Sequence, residues 1–239
     1  MPDKNVVHRF LDEDVSDIYT VARQHVWLAD RFSLSSIDTS RWVVSLGGSS
    51  TAYSGQRTDD SPVYLLLDAL SGVISRKAQI YSGKIFNMVA STFTTQKQFF
   101  TTVTASWFAC LLDTITNYVD LGTTMGFTDT TGGPGVNDIA MFAKVLGVLY
   151  ARTDEAGTDE DTDVSSGITL TNWNKYAIEV TSASVKFYIN NSLKATHATR
   201  KPQLPCVLNF MSIAEAGTKH ARLCIAYPRV VYEVASEVV

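Results

Sequence analysis

The chain has 239 residues, 45% of them hydrophobic, and a formal net charge of −4; this length and apolar content allow one large domain with a sizeable core. Its 20 Lys and Arg residues are scattered and form no basic run, which argues against a nucleic-acid surface. The longest apolar-rich stretch, DIAMFAKVLGVLYA (138–151), is broken by Lys144 and is too short to cross a bilayer as a helix, so no membrane partner is expected.

Residues 1–29 differ in character from the rest. The opening MPDKNVVHRFLDEDVSD is polar and acidic with no apolar signal segment, which predicts folding in a cytoplasm. Phe10, Leu11, Val15, Ile18, Val21, Ala22, Val26 and Trp27 recur at spacings of three and four. That pattern predicts an amphipathic helix whose first turn is favoured by Asp12, Glu13 and Asp14. The alternative is an extended arm that orders on a partner. On either reading 1–29 is a segment separate from 30–239, and Phe10, Leu11, Ile18, Val26 and Trp27 are its anchor residues.

From Arg31 onward short runs rich in Val, Ile, Thr, Phe and Tyr alternate with turn residues. The predicted strands are 42–45, 63–68, 72–80, 97–105, 108–114, 118–127, 139–144, 148–152, 175–181, 184–189, 205–213 and 223–233. The stretches GGSS, LSG, DTTGGPG, DEAGTDEDTD and NNS separate them. So many short strands predict an all-β, two-sheet antiparallel sandwich or jelly roll. In NWNKYAIEVTSASVKFYINNSL (172–193) the alternation turns Tyr176, Ile178, Val180, Val185, Phe187 and Ile189 inward. Lys175, Glu179, Lys186 and Tyr188 turn outward, with Glu179 opposite Lys186.

The residues able to carry chemistry are few. Cys110, Cys206 and Cys224 sit in apolar contexts without a CxxC pair and read as buried free thiols. His8, His25, His197 and His220 are far apart and form no metal-binding pair, and GGPG (132–135) lacks the Lys of a phosphate loop. The acidic stretch TDEAGTDEDTD (153–163) supplies oxygens of the kind that hold a hard cation. Asp159, Asp161 and Asp163 are therefore the candidate Ca²⁺ ligands, set against the plainer reading of a solvated loop. Tyr188, Trp107 and Tyr118 are the aromatics that could stack on a glycan or meet a protein partner; Trp42 and Trp173 read as core-edge residues.

Three segments in order, DRFSLSSIDTSRW (30–42), TNWNKYAIEVTSASVKFYINNSLKAT (171–196) and RLCIAYPRVVYE (222–233), resemble motifs of the concanavalin A-like lectin/glucanase superfamily. The resemblance implies a concanavalin A-like sandwich over roughly 30–233. The middle, YVDLGTTMGFTDTTGGPGVNDIAMFAKVLGVLYARTDEAG (118–157), is similar to sandwich domains of bacteriophage virion proteins. That likeness implies a capsid decoration, head-fibre or tail-associated protein in the virion. Its partners would be the major capsid protein, further copies of itself in a homo-oligomer, and on the alternative reading a glycan. Glucanases of the superfamily carry carboxylates at alternate positions of one strand, as in E-x-D-x-x-E, which sets an acid and a nucleophile on one face. The predicted strands lack that pattern: Asp113 and Asp120 are seven apart, Glu179 stands alone, and Glu233 and Glu237 close the chain. The expectation is a non-enzymatic scaffold anchored by its first 29 residues, with a lectin module as the alternative and a glycoside hydrolase behind it.

Overall fold

A computed structural model describes residues 24–29, 36–47, 51–55, 64–69, 76–86, 100–111, 123–129, 138–145, 147–170, 172–181, 183–204, 206–214 and 221–234. They build β1 (Gln24–Ala29), β2 (Trp42–Leu46), β3 (Thr51–Gly55), β4 (Tyr64–Ala69), β5 (Arg76–Phe86), β6 (Phe100–Leu111), β7 (Thr123–Asp129), β8 (Asp138–Val145), β9 (Val148–Glu155), β10 (Thr158–Asp163), β11 (Asn174–Val180), β12 (Val185–Ile189), β13 (Ser192–His197), β14 (Cys206–Ala214) and β15 (Ala221–Val234). Among the described residues there is no helix.

The strands form two antiparallel sheets. One runs β13-β12-β11-β6-β15-β4-β3, and the other runs β10-β9-β8-β7-β14-β5-β2. β15 is long enough to take two partners along one edge: residues 221–225 pair with β4 and residues 229–233 with β1, while β6 lines its other edge. The chain's first described strand is thereby fastened to its last.

Residues two apart on a strand share a face, and the core follows that rule. Tyr176, Ile178, Val180, Val185, Phe187 and Ile189 are all fully buried, as their alternation predicts. Met125, Phe127, Ala140, Phe142, Leu208 and Phe210 meet them from the other sheet. The Phe142 ring packs edge-on against Tyr176 at 5.0 Å and against Phe187 at 5.3 Å, the arrangement that ring quadrupoles favour. Trp42 packs near Phe210, with ring centroids 6.2 Å apart. Gly126 of β7 has φ +150, and a Cβ there would stand 2.6 Å from Met141 Cα and 2.9 Å from Ile178 Cδ1. Only glycine permits this close approach of backbones beneath the opposite sheet.

The hairpin turns use left-handed residues. Asn190 (φ 50) and Asn191 (φ 64) join β12 to β13, and the Asn190 side chain accepts the Lys175 amide while donating to Asn174 Oδ1, each at 2.9 Å. Ala156 (φ 55) and Gly157 (φ 81) join β9 to β10.

Several sequence expectations are corrected. The helix predicted across Val26 and Trp27 is the strand β1, in which Val26 stands opposite Val231. Pairing with the long β15 satisfies backbone groups that a lone helical turn would otherwise close, and it overrides the local three-four spacing. Phe10, Leu11 and Ile18 lie outside the described residues. The predicted acidic loop is the hairpin β9–β10, the strands predicted at 97–105 and 108–114 are one strand, β6, and β3 and β13 are additional.

Phe142→Ala empties the space between two rings and should cost roughly 3–5 kcal/mol of unfolding free energy. Denaturant titration should show this as a lower midpoint with an unchanged slope.

Candidate functional site

Register across the second sheet aligns Asp161, Arg152, Met141, Gly126, Asn209 and Tyr81 in one row, from the outer strand β10 to β5. Alternation places the side chains of this row on the side of the sheet away from the core, except at Gly126, whose φ of +150 aims its Cβ position at Ile178 of the core. Its centre is polar but uncharged. Gln79 Nε2 donates to Asn209 Oδ1 at 3.1 Å, and Asn209 Nδ2 donates to Thr128 Oγ1 at 3.4 Å. All three residues are buried. The outward positions of β8 beside them are Ile139, Met141 and Ala143, which cluster with Val145.

The carboxylates stand at the edge. Asp159, Asp161 and Asp163 occupy alternate positions of β10, opposite Asp154, Arg152 and Tyr150 respectively. Each is differently engaged. Arg152 grips Asp161 with two bonds, Nε to Oδ1 at 2.6 Å and Nη2 to Oδ2 at 2.5 Å. Asp163 Oδ1 accepts the Ser165 amide at 2.8 Å, and that bond draws its carboxyl below the usual range. Asp154 is buried, its Oδ1 has no hydrogen-bond partner among the described residues, and the nearby turn amides of Gly157 and Thr158 favour its ionised form. Burial first, and the Asp159 carboxyl beside it second, push the Asp154 carboxyl up.

The sequence search for alternating carboxylates missed this strand because 153–163 was read as a loop. The signal was present: D-x-D-x-D follows an Ala-Gly turn four residues after the strand ending at Arg152. The reading of Asp159, Asp161 and Asp163 as a Ca²⁺ ligand set changes with it. Alternation puts them on one face, but Asp161 is ion-paired and Asp163 caps its own turn. Among the described residues no group of three or more His, Cys, Asp or Glu is arranged to hold a metal.

Of the aromatic candidates, Tyr188 and Trp107 belong to strands of the other sheet. Tyr188 lies on the outer side of the other sheet and is only partly exposed. Its hydroxyl donates to Glu179 Oε2 at 2.9 Å, and Lys186 Nζ lies 3.7 Å from the other oxygen of that carboxylate. Trp107 belongs to β6, opposite Ala177, and Tyr118 lies outside the described residues. Cys206 is buried, and burial raises its thiol far above the usual range, in keeping with an unreactive core cysteine. Cys224 packs with Leu66 and Trp173.

No family model matches the chain, and no curated protein does. Solved structures do. A laminarinase from Rhodothermus marinus aligns with a TM-score of 0.60 and 16% identity over 89% of this chain and 98% of its own. The Bacillus licheniformis β-glucanase aligns at 0.56 and 16%, over 85% and 96%. The catalytic domain of an endo-1,3-β-glucanase from Thermotoga petrophila aligns at 0.56 and 13%, over 88% and 98%. The fold is therefore the two-sheet antiparallel jelly-roll sandwich that these structures share. The expectation that the chain is not an enzyme is overturned by these neighbours, which are glycan hydrolases. Its premise, that no strand bears alternate carboxylates, fails at β10.

Replacing Asp159 with Asn supplies an amide donor to Asp154 and removes the like charge. Because the folded Asp154 pKa is raised, the stability that this group contributes is complete below the unfolded value of about 3.9 and is lost as pH rises through the folded value. Asp159→Asn should therefore melt higher than the parent at pH 7, with the gap closing in acid. The Tyr188 phenol, pushed up to about 12 by burial and then by Glu179, should show that midpoint in an ultraviolet titration. Glu179→Gln should bring it part of the way back.

Proposed function

We propose that this chain engages carbohydrate through its concanavalin A-like sandwich. The observation that supports this reading is coverage. The alignments with the three glucan hydrolases take in 85–89% of this chain and 96–98% of theirs, so the shared frame runs nearly end to end. Arg152, Asp159 and Asp161 at the β10 edge offer the mixed donors and acceptors that sugar hydroxyls require. A second reading, cleavage of the bound glycan, is favoured by the Asp154–Asp159 pair. Acid-assisted glycosidic cleavage uses two carboxyls, one of them with a raised proton affinity, and burial pushes the Asp154 carboxyl up beside Asp159. The likeness of residues 118–157 to bacteriophage virion domains supports a place on a particle. There the glycan would be a surface polysaccharide of the host, and the major capsid protein and further copies of this chain would be neighbours.

Calorimetric titration against β-1,3-glucan, mixed-linkage β-glucan, galactan and mucin glycans should show saturable binding to at least one. Absence of binding to all four overturns the proposal. In the same samples, release of reducing ends that Asp154→Asn abolishes while binding persists would establish cleavage, and binding without release would set that second reading aside.

A further inference from the structure

We propose that His197 is an acid-sensitive clasp joining the two sheets along the edge formed by β10 and β13. His197 ends β13, the outer strand of its sheet, and is 1% exposed. Its ring reaches the other sheet twice: Nδ1 lies 2.8 Å from Thr153 Oγ1 on β9, and Nε2 lies 3.0 Å from Thr162 Oγ1 on β10. The ring also packs on Phe187, with centroids 5.2 Å apart. Two residues on, Thr199 Oγ1 donates to Glu160 Oε2 of β10 at 2.8 Å. Side chains thus bind two outer strands that share no backbone ladder.

The clasp depends on a neutral ring. A neutral imidazole has one N–H and one acceptor nitrogen, so one threonine accepts from it and the other donates to it. Protonation makes both nitrogens donors. The hydroxyl that had been donating must then turn its hydrogen elsewhere, and Thr153 is fully buried. The charges acting on the ring are Glu160 and Asp161 of β10, which favour the imidazolium; β9 presents Thr153 and β12 presents Phe187, neither charged. Burial outweighs the two carboxylates and holds the ring's affinity for a proton below its ordinary value. A lowered folded pKa means that the ring's contribution is complete above the unfolded value of about 6.5 and falls away as pH drops through the folded value. Mild acid should therefore loosen this edge while the apolar core holds.

The test uses the full chain with ¹⁵N-labelled histidine, titrated from neutral pH into mild acid, with amide exchange followed in parallel as protection factors. One histidine, absent in His197→Gln, should titrate below about 6.5. Protection in 158–163 and 192–197 should drop several-fold through that midpoint, and His197→Gln should flatten the drop. Glu160→Gln, which keeps an acceptor for Thr199, should move the midpoint to lower pH. It serves as the second variant should His197→Gln not fold. A midpoint at or above the ordinary value, an edge that loosens equally in His197→Gln, or a midpoint unmoved in Glu160→Gln overturns the proposal.

Discussion

Phe142 stands between Tyr176 and Phe187, and the remaining geometry follows from that contact between sheets. Side chains alternate along a strand, so turning Phe142 and Ala140 inward commits Ile139, Met141 and Ala143 to the opposite side of β8. The ladders from β8 through β7 and β14 carry the same phase to Gly126 and Asn209, and from β8 through β9 to Arg152 and the β10 carboxylates. A one-residue slip would exchange the core for the polar row in a single step.

β10 reconciles two demands. Among the described residues it is the outer strand of its sheet, and charged side chains are a common defence of such strands against edge-to-edge pairing. Those same charges are arranged unequally. The Arg152–Asp161 pair is partly exposed and contributes on the order of 0.2–1 kcal/mol, whereas Asp154 is buried against a like-charged neighbour and weakens the fold near neutral pH. A group that a protein keeps at a cost to stability is a reasonable place to look for chemistry. This gives Asp154 a different standing from Asp163, which is committed to its own turn.

Much of the fold was legible because it rests on period two. The hairpin of residues 174–189 was read correctly, inward and outward residues alike, since its apolar positions alternate without interruption. The N-terminal helix failed because Val26 and Trp27 fit both a helical spacing and a strand, and the choice rested with β15, about two hundred residues away. The acidic hairpin failed because Asp is a poor strand former by propensity and reads as loop. Its strand exists through pairing with β9. Tyr188 was rightly placed on the outer side, yet its tie to Glu179 depends on cross-strand diagonal geometry that spacing alone does not specify.

Sequence alone determined that this is an all-β sandwich, which residues of 174–189 fill it, and that Cys206 and Cys224 are core residues, because alternation and composition are local properties. Tertiary structure alone decided which sheet each strand joins, that Asp154 meets Asp159, and that His197 reaches Thr153 and Thr162. Those contacts join residues 5 to 44 positions apart, and a buried charge or ring takes its character from the neighbours that the ladders bring to it rather than from those beside it in the chain.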